Sequence, residues 1–366
     1  MDTLQKIGKF EAAALIIMIA INQIILNLPN TLIVSTGSSA WINVIYISII
    51  ALIFCFLICK LFKPFASSDI LDVSNYLGGK LLKNLMGILY IAFFFLIAGI
   101  FLRYLATSLK LIYFQDSPIT FLLILFLVAV TISGKMGLKA VSEINLMFLP
   151  VLLFSILIIL FSTAKDFVPE RIYPILGFGA DKTFITGISN IFAFSGFSYI
   201  YFLIPILNHP EDFKKVAISS IIISAIYLFL SVICLLMTFP FITFTDELLS
   251  VYLLTRMIEF GSFFQRIDAI FIFIWILSIL SFLTFTCNFI TIIFKKLTSI
   301  KRHKEMIYSI VAILFGISLI FENVSNIKFL QNIVFKYIVI ALIFIITPII
   351  LILANFKIKR RNSNEI

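Results

Sequence analysis

The sequence predicts an all-α polytopic membrane protein of about ten transmembrane helices, arranged as a 5+5 inverted repeat with broken helices 1 and 6. Three observations carry this. Of 366 residues, 62% are hydrophobic and only 13% charged, with a mean hydropathy of +1.16; a soluble globule has an apolar share nearer half. The apolar residues fall in runs of about 20, the length a helix needs to cross hydrocarbon. Two of those runs, the first and the sixth, are interrupted in the same way, by polar residues with a proline seven positions on: Asn22 to Pro29 and Ser198 to Pro205.

The spans read in order as about 11–30, 41–60, 84–109, 118–133, 143–162, 183–206, 216–240, 267–294, 306–321 and 333–355, the fourth and ninth being short. Too little chain remains for a soluble domain, so residues 1–366 read as a single integral membrane domain with short tails at about 1–9 and 356–366. The first run continues past Asn22 and Pro29 without a small-residue cleavage site, so it reads as a span rather than a removable signal. The longest outer connections are 163–182 and 241–266. Within the second, "DELLSVYLLTRMIEF" (246–260) has apolar residues at helical spacing and mixed charge, which predicts a short helix lying on the outer surface.

Basic residues set the orientation. The segments 1–9, 60–83, 135–139, 214–215, 295–304 and 357–361 hold nineteen of the 28 Lys and Arg, and all fall on one side if both termini are cytoplasmic. The net charge of +10 therefore reflects loops facing anionic lipid headgroups, not a nucleic-acid partner. Cys55 and Cys59 share one face of a span, Cys234 and Cys287 stand alone in others, and His209 and His303 fall in loops. That pattern predicts packing cysteines, with no disulfide, metal or cofactor. "GFG" at 177–179 reads as a loop turn, since no strand precedes it to make a phosphate cradle, and no catalytic constellation is visible.

The broken spans supply the candidate site. A membrane helix keeps polar side chains and prolines only where the freed backbone lines a cavity or finds partners. Paired interruptions in two halves point to a midplane binding site in an inverted-repeat transporter fold, where half-helix N-termini face an anionic group. Asn22, Gln23 and Asn27 in span one, and Ser195, Gly196, Phe197 and Ser198 in span six, are the candidates, with Gly196 allowing close approach of a ligand or backbone. The alternative is that Gly196 is a packing point and the amides bond between helices. Ser278, Ser281, Thr284 and Asn288 share one face of span eight and could line the same cavity, or bond back to their own helix. Arg103 is the one strong charge well inside a span, a ligand candidate or a side chain that snorkels to the headgroups. No carboxylate lies deep in a span, which weighs against a proton-coupled pump.

"LPNTLIVSTGSSAW" (28–41), "ERIYPILGFG" (170–179) and "FFQRIDAIFIFIW" (263–275), with "GKMGLKAVSEI" (134–144) as a weaker marker, resemble the GerAB-type B-subunit permeases of bacterial spore germinant receptors, within the amino acid–polyamine–organocation transporter superfamily. The resemblance runs over nearly the whole length. Asn22 stands where relatives often have a small residue, Ser198 where an acidic one is frequent, and Ser142 where arginine is expected. The resemblance implies a receptor subunit in the inner membrane of a spore, working with A and C subunits to recognise a small nutrient, typically an amino acid, and trigger germination. A secondary transporter of amino acids or polyamines, and a structural membrane subunit with a vestigial pocket, are the alternatives.

The charge distribution makes a direct prediction. A cysteine introduced near Asn364 should not react with a membrane-impermeant thiol reagent applied from outside intact cells; labelling there would reverse the topology.

Overall fold

A computed structural model describes residues 6–244, 250–258, 267–298, 305–320 and 336–364. The described residues are almost entirely helical, with one isolated parallel bridge between Ile7 and Leu207. Span one is α1 (Lys9–Leu26) and α2 (Leu28–Thr36); spans two to five are α3 (Ala40–Phe62), α4 (Ile70–Ile112), α5 (Ile119–Met136) and α6 (Leu138–Ser162). Span six is a chain of irregular turns around α7 (Phe197–Ile200). Span seven is α8 (Phe213–Thr238), and α9 (Ser250–Arg256) precedes span eight, α10 (Ile267–Thr298). Spans nine and ten are α11 (Met306–Ile320) and α12–α13 (Lys336–Val339 and Thr347–Asn364), the last two joined by a π turn, Ile340–Ile346. Among the described residues, eight helical segments are long and apolar enough to cross a membrane, and Met306–Ile320 is a shorter apolar helix.

Burial sorts the spans into centre and rim. Lys9–Leu26 is 78% buried over its apolar window, whereas Ile119–Met136 and Leu138–Asp166 are each 33% buried and turn large side chains such as Phe121, Val128 and Phe154 outward. A helix apolar all round belongs in the middle of a bundle, and α1 packs there against α6, α8 and α10.

Several limits move from the predicted ones. The loop read at 61–83 contains the first turns of α4, capped by Asp69, whose carboxylate accepts from Leu71 N (3.0 Å) and Asp72 N (3.1 Å). A kink at Gly78 and Gly79 (φ 66°, ψ −162°) then sends the helix into the membrane. Asp72, Ser74 and Asn75 break up the apolar residues of these turns, so an apolar-run reading passes over them. Between spans four and five the predicted nine-residue connection shrinks to Gly137 alone, which takes φ 88°, a left-handed value suited to glycine. The predicted surface helix is present at Ser250–Arg256, but Val251 and Leu254 are fully buried and α9 packs on α1 and α10, so it caps the bundle instead of floating on headgroups. Residues 246–249 and 259–260 of that stretch, the basic cluster 301–304 with His303, and the start of the predicted tenth span lie outside the described residues.

One end of the bundle is fastened around the exit of span six. Ile7 N donates to Ile206 O and Asn208 N donates to Ile7 O, each at 2.8 Å, while Ile70 N donates to Tyr201 O at 3.1 Å. Beside them Lys296, near the end of α10, reaches Asp69 (2.6 Å) and Asp72 (2.7 Å). Burial pushes the Asp69 carboxyl up to about 6, although the Lys296 ammonium opposes that rise. The folded chain thus holds this proton to a higher pH than a free carboxyl does, and the group's contribution to stability falls as pH rises through roughly 4 to 6. Lys296→Met strips the buried carboxylate of its cation and should cost about 3 kcal/mol. Thermal unfolding in detergent should show a larger loss at pH 8, where Asp69 must ionise unpaired or hold a proton against the pH, than at pH 5. An equal loss at both would mean that Lys296 acts through packing alone.

Candidate functional site

Both interruptions are built from local sequence and enclosed by the bundle. α1 stops at Leu26 because Asn27 leaves the helical region (φ −155°, ψ 4°) while its N–H still bonds Gln23 O. Pro29 then occupies the first turn of α2, where no N–H is needed. In span six a π turn (Asp181–Ile185) runs into a nine-residue 3-10 helix, Thr186–Phe194. Runs of that geometry longer than three or four residues are uncommon and mark hinges or strain. The chain then turns through Ser195 and Gly196 into α7, and Pro205 sits at the start of a second 3-10 turn, Ile204–Ile206. Every residue in 14–30 and in 190–204 is buried, so both breaks lie among other spans and not against lipid.

The breaks touch through side chains. Gln23 Nε2 donates to Ser195 Oγ at 2.5 Å. Asn22 ties span one to span eight: its Nδ2 donates to Met18 O (2.9 Å) and Ser278 O (3.2 Å), and its Oδ1 accepts from Ser278 Oγ (3.1 Å). Three buried polar atoms in this neighbourhood have no partner among the described residues: Gln23 Oε1, Asn27 Oδ1 and Nε1 of Trp275, one turn from Ser278. Buried polar groups are almost always hydrogen-bonded, so each exception asks for an explanation.

The other candidates are placed differently. Ser198 Oγ donates to Ser195 O (2.8 Å), bracing the turn. Phe197 faces spans two and ten, with its ring 5.2 Å from Phe54 and 5.7 Å from Phe344. Gly196 has ordinary right-handed helical angles (φ −53°, ψ −20°), and a Cβ there would sit 3.5 Å from Ile16, a normal contact. Its backbone therefore does not demand glycine. Thr284 donates to Leu280 O of its own helix (2.7 Å), Asn288 donates to Thr284 O (2.9 Å), and Ser281 is half-buried on the same helix. Arg103 is buried, with Nη1 donating to Ser318 O in span nine at 3.3 Å, so its side chain does not reach for the headgroups. Among the described residues the four cysteines are free, and no group of three or more His, Cys, Asp or Glu could hold a metal ion.

Two groupings escaped the sequence reading. Asn43 Nδ2 donates to Thr183 O (2.7 Å) and Gly187 O (3.1 Å), its Oδ1 accepts from Asn190 Nδ2 (2.9 Å), and Asn190 Oδ1 accepts from Lys336 at 3.3 Å. Ser39 Oγ and Thr183 Oγ1 meet at 2.7 Å. This buried network fastens the first half of span six to spans two and ten. Alongside it Phe178 N donates to Thr36 O (3.2 Å) from the GFG turn, whose Gly177 has φ +53°. Arg171, in the "ERIYPILGFG" stretch, caps α8 by donating to Met237 O (3.1 Å) and Thr238 O. On the other side of the break lies an aromatic layer: Tyr199 packs against Phe94 (4.6 Å) and Phe285 (5.1 Å), with its hydroxyl 2.8 Å from Thr286 Oγ1. Each amide or aromatic is unremarkable alone; only the fold brings them together.

Ten spans whose first and sixth are broken and meet through Gln23 and Ser195 define an inverted-repeat transporter fold. Solved structures agree. The chain superposes on a Na+-coupled sialic acid symporter in a substrate-bound outward-open state with a TM-score of 0.66 and 13% identity, covering 93% of this chain and 79% of that one. It superposes on MhsT in complex with L-phenylalanine with a TM-score of 0.65 and 15% identity, covering 96% and 99%. The chain belongs to the spore germination protein family of spore permeases, whose sequence model matches residues 6–327. Two relatives from Bacillus subtilis (strain 168) are spore germination protein YndE, 24% identical over 78% of each chain, and spore germination protein B2, 21% identical over 56% of this chain and 55% of that one. The protein is thus a multi-pass membrane protein of permease type.

The two glycines of span six should behave oppositely. A Cβ at Gly187 would meet Asn43 Nδ2 at 2.5 Å and Lys182 O at 2.6 Å. Gly187→Ala should therefore lower stability by about 1–3 kcal/mol, while Gly196→Ala should leave the unfolding temperature in detergent near that of the parent. The reverse order would mean that the turn at 195–196, not the Asn43 network, is the tight point.

Proposed function

We propose that this protein is the B subunit of a spore nutrient germinant receptor in the spore inner membrane, with both termini cytoplasmic. It binds a small nutrient, an amino acid, between the broken spans and triggers germination with A and C subunits. The observation that carries this reading is the meeting of the two breaks at Gln23 and Ser195, beside buried acceptors at Gln23 Oε1 and Asn27 Oδ1 that have no partner among the described residues. Two carbonyl acceptors suit an ammonium group, and the Trp275 N–H suits a carboxylate; an amino acid carries both. Membership in the spore germination family supports the receptor role, and the L-phenylalanine complex of MhsT supports an amino acid in this fold.

In this reading the ligand favours one arrangement of the half-helices over another, because only differential affinity for two states moves the equilibrium. The second reading is transport. It is favoured by the symporter likeness, and it would need the aromatic layer around Tyr199 to open so that ligand could pass.

Gln23→Leu keeps the approximate size of the side chain but removes the bond to Ser195 and the free acceptor. Loss of one or two ligand hydrogen bonds at about 1–3 kcal/mol each should shift the germination dose response of spores by about tenfold or more. Protein levels must be matched, and germination by other nutrients should be unchanged. Normal germination with impaired uptake in growing cells would favour the transporter; an unaltered dose curve would place the ligand elsewhere.

A further inference from the structure

A cavity of about 740 Å³ opens where the end of α3 meets the segment that leaves span six, lined by none of the residues that make the breaks' polar contacts. Its floor is apolar, formed by Phe62, Ile204 and Phe213, while Lys60, Lys63 and Lys214 stand exposed at its rim. We propose that this cavity binds the headgroup of an anionic phospholipid, with the lysine ammonium groups on the phosphate and an acyl chain running up α3.

The layout matches that ligand at both ends. Against the three lysines the lining sets one carboxylate, Glu211, so the mouth carries excess positive charge. Lys60 and Lys63 follow directly on the apolar run of span two, which puts them at headgroup depth whichever side of the membrane this end faces. Basic pockets between spans at that depth select anionic headgroups. Lys214 Nζ lies 5.5 Å from the centre of the Phe56 ring, which holds the ammonium over the mouth. Phe56 in turn ends a stripe of exposed side chains, Ile45, Ile49, Ile53 and Phe56, at helical spacing along α3. That stripe offers an acyl chain a continuous apolar track into the cavity. The floor residue Ile204 belongs to the 3-10 turn that closes span six, so the occupant rests against the exit of the broken helix.

The test uses the full-length protein in detergent, with native mass spectrometry counting bound lipid after addition of chain-matched phosphatidylglycerol, phosphatidylethanolamine or phosphatidylcholine. Phosphatidylglycerol should be retained about tenfold better than phosphatidylcholine. Lys60→Gln/Lys63→Gln/Lys214→Gln should abolish the preference, whereas Lys80→Gln/Lys83→Gln/Lys359→Gln, which removes equal charge elsewhere, should keep it. The corresponding triple arginine variant should also keep it. Equal retention of the three lipids by the parent protein, or equal loss in both glutamine variants, would overturn the assignment. Displacement of phosphatidylglycerol by millimolar glycerol phosphate would overturn the lipid in favour of a soluble phosphate.

Discussion

A bilayer offers no water to a freed backbone group, and the architecture follows from that constraint. Two helices of this chain depart from the α-helical hydrogen-bond pattern, at Asn27 and across Thr186–Gly196. Neither could face lipid, where each orphaned group would cost several kcal/mol. Both are therefore surrounded, and the remaining spans arrange themselves to do it: α6, α8 and α10 wrap α1, while α3 and the tenth span hold the first half of span six. The outermost spans are left to meet the lipid, and their exposed Ile, Leu and Phe side chains show it.

This explains why the fold was legible in the sequence and why some of its limits were not. Lipid forces spanning helices to be long and apolar, so the runs stand out, and the paired prolines mark the two that break. The early turns of α4 did not stand out because Asp69, Asp72 and Asn75 interrupt the apolar residues there, although Ile70, Leu71 and Val73 are buried. Gly137 looked like part of a polar loop because "GKMGLK" is polar, although a single left-handed residue makes the turn. Lys296 read as one more headgroup-facing cation because its pairing with Asp69 and Asp72 joins residues more than two hundred positions apart.

The candidate site was legible to the same degree. Asn22, Gln23 and Ser195 announced themselves as polar residues in apolar runs. Their pairing could not be read, since Gln23 and Ser195 are 172 positions apart. Asn43 and Asn190 carry an equally polar signal but stand singly in ordinary-looking spans, and Lys336 stands at the edge of one. Gly196 stands out in the break, yet its angles are those of any helix, and within span six the glycine crowded by its neighbours is Gly187. Polar side chains can be spotted along a chain, but crowding around a glycine belongs to the packed molecule.

The short bridge between Ile7 and Leu207 has a mechanical consequence. Both backbone groups of Ile7 are engaged, one with Ile206 and one with Asn208, and two residues later the chain enters α1. Rotating the second half of span six must therefore drag the entry to α1 with it, or break the bridge. Ile7 thus couples the entry of span one to the exit of span six, so the two broken spans are joined through backbone as well as through Gln23 and Ser195.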